Sequence, residues 1–94
     1  MGFLSKLFGP NMAEPNPEEA RRLARLLLAE IKLYQTYKLE RGIRTRNILG
    51  SLEDEITSAR KKFSKSFGYD MAMAIFEEQV LAVLADGDPS LLGG

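Results

Sequence analysis

The chain has 94 residues, with 13 basic and 13 acidic side chains that cancel, and it contains neither cysteine nor histidine. That composition implies one small domain and excludes disulfides, zinc–thiolate sites, Ser–His–Asp and Cys–His nucleophilic centres and histidine-bearing di-iron sites. The apolar share of 45% excludes disorder of the whole chain, and the balanced charge points to no polyanionic partner.

The opening stretch, MGFLSKLFGP, carries Phe3, Leu4, Leu7 and Phe8 at a spacing that puts all four on one side of a short helix, with Ser5 and Lys6 towards water. Full burial of these four side chains is worth roughly 6–12 kcal/mol before ordering entropy, which removes much of it. Residues 1–9 are therefore expected to act as an amphipathic anchor on a partner groove or a membrane surface. A single lysine gives little attraction to anionic lipid, which favours the protein groove; the competing expectation is that the segment folds back on its own helices. Gly2 follows Met1 as in myristoylated chains, but Lys6 stands where that pattern has Ser or Thr. Residues 10–16, with Pro10 and Pro15, are expected to be a linker, because proline there excludes regular helix or central strand.

A three-helix domain is expected over residues 17–86. Asn16 caps, Pro17 takes the first helical position, and Glu18 and Glu19 complement the helix dipole. Gly42 is the expected stop, giving a helix over 17–41 about 37 Å long at ~1.5 Å per residue. Ala20, Leu23, Ala24, Leu27, Ile31 and Tyr34 form an apolar stripe. Leu26, Leu33 and Tyr37 widen it on one side, Leu28 and Leu39 on the other. That face is broader than one neighbouring helix covers.

The second helix starts with Asn47 or Ser51 as cap and ends at Gly68, with Leu49, Leu52, Ile56, Ala59, Phe63 and Phe67 inward. Asp70 caps a third helix, MAMAIFEEQVLAVLA, ended by Asp86-Gly87-Asp88-Pro89. A helix this apolar is central or lies in an interface, so Met73, Phe76, Val80 and Leu84 are expected at a subunit interface as well as in the core, with a homo-oligomer or a larger protein complex as partner. Met71 and Met73 read as core filler. Residues 87–94 are expected to be a flexible tail with exposed Leu91 and Leu92. The fold class is thus all-α, a helical hairpin plus a third helix, resembling a three-helix bundle, with a short amphipathic N-terminal extension.

Between Lys32 and Lys65 lie nine bases and four acids, with Tyr34 and Tyr37 beside them. Arg41, Arg44, Arg46, Lys61 and Lys62 are the candidate anion contacts of a second reading, a small nucleic-acid-binding module. No nucleic-acid motif accompanies the charge, so a solvated basic face is the simpler expectation. Glu30 falls among apolar positions, where it would pair with an Arg or a Tyr hydroxyl, or serve as a functional acid. Glu53-Asp54-Glu55 and Glu77-Glu78 point apart on their helices and read as surface rather than cation ligands.

The strings EARRLARLLLAEIKLY, LEDEITSARKKF and FEEQVLAVLADGDPSLLG together resemble a short helical region found in many bacterial proteins, alone or joined to signalling or zinc-ribbon domains. The resemblance runs from about Glu19 to Gly93 and implies no activity. Separately, MGFLSKLFG resembles the amphipathic openings of membrane-associated phage-shock proteins and the signal-recognition-particle receptor. No apolar run approaches the ~18–20 residues that span a bilayer. The sequence thus predicts a cytoplasmic protein, with peripheral contact at the inner face of the membrane as an extension. It is expected to be a non-catalytic accessory or scaffold subunit, or an assembly factor of a larger bacterial complex. No cofactor or metal is expected.

Overall fold

The computed structural model describes residues 16–67 and 70–93. The expected anchor residues Phe3, Leu4, Leu7 and Phe8, and the linker up to residue 15, lie outside the described residues. The described part is all-α, as the periodicity predicts. It comprises α1 (Pro17–Tyr34), α2 (Thr36–Arg44), α3 (Ile48–Ser51), α4 (Glu53–Phe67) and α5 (Asp70–Gln79). A wide π-helical turn over Val80–Leu84 prolongs α5, and a 3-10 turn over Pro89–Leu91 follows.

The start of α1 is the expected one. The Asn16 side chain accepts the Glu18 N–H at 2.9 Å, and Pro17 occupies the first turn. Its end is not. The single helix expected over 17–41 breaks at Gln35 (φ −120°, ψ 40°) and resumes as α2. The Thr36 hydroxyl donates to the carbonyls of Lys32 and Leu33 at 3.0 and 3.2 Å, which competes with the backbone ladder where the helix bends.

Gly42 is not the helix stop. It is buried inside α2, which runs on to Arg44. A Cβ at Gly42 would sit 2.8 Å from the Cα of Ile48 and 3.2 Å from the Cβ of Ser51, so glycine is required there by close approach of α2 to α3. The left-handed residue of the turn is Arg46 (φ 55°), and the Asn47 N–H returns to the Gly42 carbonyl at 2.8 Å. Asn47 then caps α3 by accepting the Gly50 N–H. Ser51, the other expected cap, instead donates its hydroxyl to the Lys38 carbonyl at 2.7 Å, tying α3 to α2.

α1 packs against α4, α5 and the π-helical turn, while α2 pairs with α3. The core line of α1 is Ala20, Ala24, Leu28 and Ile31. α4 contributes Ile56, Ala59 and Phe63. Phe63 is the aromatic centre, with ring centroids 5.4 Å from Phe67 and 5.3 Å from Phe76.

Two expectations about the C-terminal half are corrected. Phe76, Val80 and Leu84 are 0–2% exposed within the chain's own core, so they have no surface left for a subunit interface; Met73 is half-buried against the same cluster. Over residues 72–85 the exposed positions are Ala74, Glu77, Glu78 and Ala82, so among these residues no bulky apolar side chain is fully exposed. Gln79, its remaining polar residue, is buried and accepts from the Arg25 side chain at 3.2 Å. The tail is likewise seated rather than free. Asp86 and Gly87 reverse the chain with positive φ, and Leu91 and Leu92 pack on the core. The Leu49 N–H donates to the Leu92 carbonyl at 3.0 Å.

Replacing Gly42 by Ala is expected to destabilise the fold by about 1–3 kcal/mol, because the obstructing atom is backbone and cannot rotate away. Urea unfolding followed by circular dichroism measures it. Unchanged stability would show that the two helices can separate without cost.

Candidate functional site

α1 is apolar on two faces, and the core of the described residues covers only one. Leu26, Leu33, Tyr34 and Tyr37 are 57%, 69%, 75% and 73% exposed. Leu26, Glu30 and Leu33 step by four and three, which aligns them on one surface of α1; Tyr37 follows beyond the bend, on α2. By helical geometry that surface lies nearly opposite the line of Ala24, Leu28 and Ile31. Ala29 and Glu30 are also exposed and occupy the middle of the stripe. The sequence shows the excess breadth of this helix. The structure shows which edge is covered: Leu28 and Leu39 enter the core, and the Leu26–Leu33–Tyr37 edge does not.

Beside the stripe, an open cleft of about 320 Å³ lies between α1 and α4. Leu27, Glu30, Ile31 and Tyr34 form one wall; Asp54, Glu55 and Lys62 are on the other. Sequence reasoning missed this cleft, because only the docking of α4 along α1 puts Glu30 and Glu55 on the walls of one cleft. Glu30 itself is exposed, so the side chain expected among apolar positions is not buried.

Glu55 braces the bend. Its carboxylate accepts from Lys38 at 2.7 Å, joining α2 to α4. That hydrogen bond holds the Glu55 carboxyl below its ordinary value, against the opposing effect of burial. The second oxygen, Oε1, is buried and has no hydrogen-bond partner among the described residues. Asp88 is also held low, by the Ser90 hydroxyl and backbone N–H that it accepts.

The candidate anion contacts do not form one patch. Arg41 stacks over the Tyr37 ring at 5.8 Å, and Arg46 donates to the Ser90 hydroxyl at 2.9 Å. Arg44 is exposed at the end of α2. Lys61 is exposed on α4, and Lys62 lines the cleft among Glu30, Asp54 and Glu55. Other bases of the same span are already paired, Lys38 with Glu55 and Arg60 with Glu77. Among the described residues no group of three or more carboxylates is placed to hold a metal ion, and no helix is long and apolar enough to cross a membrane.

Comparison of the chain with protein-family models, with curated proteins and with solved structures finds no match in any of the three.

The lowered Glu55 carboxyl sets an expected pH dependence. Its contribution is fully present above the unfolded value near 4.5 and is lost as pH falls through the lower folded value. Glu55→Gln should therefore reduce stability at pH 7 by about 1 kcal/mol or less, since the pair is partly exposed, and should flatten the acid limb of the stability curve. Urea titrations at pH 7, 4.5 and 3 check this; an identical acid limb in the variant would remove Glu55 from the account.

Proposed function

We propose that this chain is a non-catalytic interaction protein, a small accessory or scaffold subunit or an assembly factor, that docks through the outer face of α1. The observation that carries the reading is the stripe of Leu26, Leu33 and Tyr34, continued by Tyr37 on α2, which the core of the described residues leaves exposed. Its four large side chains gain roughly 1.5–3 kcal/mol each on full burial, enough to drive association once ordering losses are met. Two of them are tyrosines, which suit an interface because the ring buries area while the hydroxyl stays solvated. Leu26 and Leu33, two turns apart on one straight helix with Tyr34 at its end, fit the helix-in-groove mode of recognition.

Phe3, Leu4, Leu7 and Phe8 supply a second apolar element joined to the same helix by a short linker. The third helical segment no longer belongs to the docking surface, since its large side chains are spent on the core. The resemblance of residues 19–93 to a bacterial helical region supports a bacterial assembly as the setting, in the cytoplasm or at the inner face of the membrane. The absence of histidine and cysteine supports a non-catalytic role, because the side chains that most often carry acid–base and nucleophilic chemistry are missing.

The test is affinity purification from the native host with the wild-type chain and with the double variant Leu26→Asp, Leu33→Asp, each read by native mass spectrometry. A defined complex is expected with the wild type and at least a tenfold loss with the variant. Both sites are exposed, so the variant's helical content should be unchanged by circular dichroism. A complex equally abundant with both chains, or a lone monomer from the wild type, would overturn the reading.

A further inference from the structure

Resting on the reading of the outer face of α1 as a docking surface, we propose that residues 3–8 of the same chain occupy that face in the free protein, with Lys6 beside Glu30.

Length, chemistry and charge support this occupant. Asn16, where the described chain begins, has extended backbone (φ −81°, ψ 117°) and stands at the start of α1. At ~1.5 Å per residue, Leu26 lies about 14 Å and Leu33 about 24 Å along the axis from Pro17. Residues 9–15 span about 22 Å if extended at the ~3.1 Å per residue of a proline-rich segment. A chain returning along α1 therefore has enough length to place Phe8 at the level of Leu26 or beyond it, short of Leu33, and does not reach Ile43 near the end of α2. As a helix, residues 3–8 are about 8 Å long, close to the ~10 Å between Leu26 and Leu33.

The segment supplies Phe3, Leu4, Leu7 and Phe8 for the stripe and one cation for its margin. Glu30 sits midway between Leu26 and Leu33; across the adjoining cleft lie Asp54, Glu55, which is paired with Lys38, and Lys62, so acids outnumber bases there. A second copy of α1 fits less well. Antiparallel pairing about Ala29 and Glu30 would bring two Glu30 carboxylates together at the centre of the contact, where like charges oppose association. Tethering adds an effective concentration in the millimolar range, which a separate molecule must match in solution.

The chain has no cysteine, so a nitroxide on Ser5→Cys is a single defined probe. Paramagnetic broadening of backbone amides in the full-length, isotope-labelled chain reads where the segment sits. The expected result is a maximum over Leu26–Tyr34, separate from the first turn of α1 that any tethered label reaches. Phe3→Asp with Phe8→Asp should abolish that maximum. Lys6→Glu should lower it about two- to fivefold, the range of a partly exposed pair, and Glu30→Lys on that background should restore it. No maximum over 26–34, or one that survives Phe3→Asp with Phe8→Asp, overturns the proposal. So does a maximum that appears when spin-labelled, unlabelled-isotope chain is mixed with isotope-labelled chain lacking the nitroxide, since the occupant is then a second copy. The readout uses the purified chain alone, so it fails or succeeds independently of whether Leu26→Asp with Leu33→Asp loses a partner.

Discussion

A helix of 18 residues that is apolar on opposite sides cannot bury both against two other helices lying on the same side of it. α1 is that helix, and the rest of the fold follows from which side was buried. Ala20 and Ala24 are the small members of its core line, and Leu28 and Ile31 the large ones. Small side chains let helix axes approach, so the bulk that fills the core comes from Phe63 and Phe76 on α4 and α5. Had the helix turned by nearly half a revolution, Leu26 and Leu33 would fill the space and the alanines would face water. The aromatic pair leaves no room for that arrangement. The exposed stripe is thus the other side of a packing decision, and no further residue of the described chain reaches it.

The bend at Gln35 belongs to the same logic. A straight helix to residue 41 would carry Leu39 away from a core that α4 and α5 close around residue 31. Bending redirects α2 so that Leu39 is buried and Gly42 meets Ile48. The redirected helix needs a tether, which the Lys38–Glu55 pair and the Ser51–Lys38 hydrogen bond provide across the two joints. Each is modest alone. Both restrain a bend that local sequence would not hold, since Gln35 and Thr36 have no strong preference for a break.

That weakness of local preference explains what the sequence could and could not show. The start of α1 was legible because Asn16, Pro17, Glu18 and Glu19 act within one turn. The inward residues of α4 were legible because Ile56, Ala59 and Phe63, with Leu52 just before the helix, repeat at helical spacing and all proved buried. Gly42 was misread because a helix end and a close helix contact both select glycine, and only the position of Ile48 separates them. The third helical segment was misread because two of its exposed positions, Ala74 and Ala82, are alanines, which count as apolar in a pattern but bury little. The surplus on α1 was visible as breadth, whereas the cleft beside it was not. Its acidic wall belongs to a helix some twenty residues away in sequence, and no local pattern encodes that approach.

Covering the stripe in cis has a consequence for how a partner would bind. An apolar segment of six residues gains enough burial to dock but loses most of it to ordering, so its intrinsic affinity for the stripe is expected to be weak, with Kd about millimolar. A tether that holds it at about the same concentration leaves the stripe roughly half covered. A partner that needs the bare stripe then meets about half the molecules in the competent state, and its apparent affinity falls only about twofold. The same cover halves the time that Leu26, Leu33, Tyr34 and Tyr37 spend exposed to other apolar surfaces. Displacement also frees Phe3, Leu4, Leu7 and Phe8, so binding at the stripe makes the second apolar element available to the same partner. A weak internal cover thereby protects the surface without blocking it, and links the two docking elements in one equilibrium.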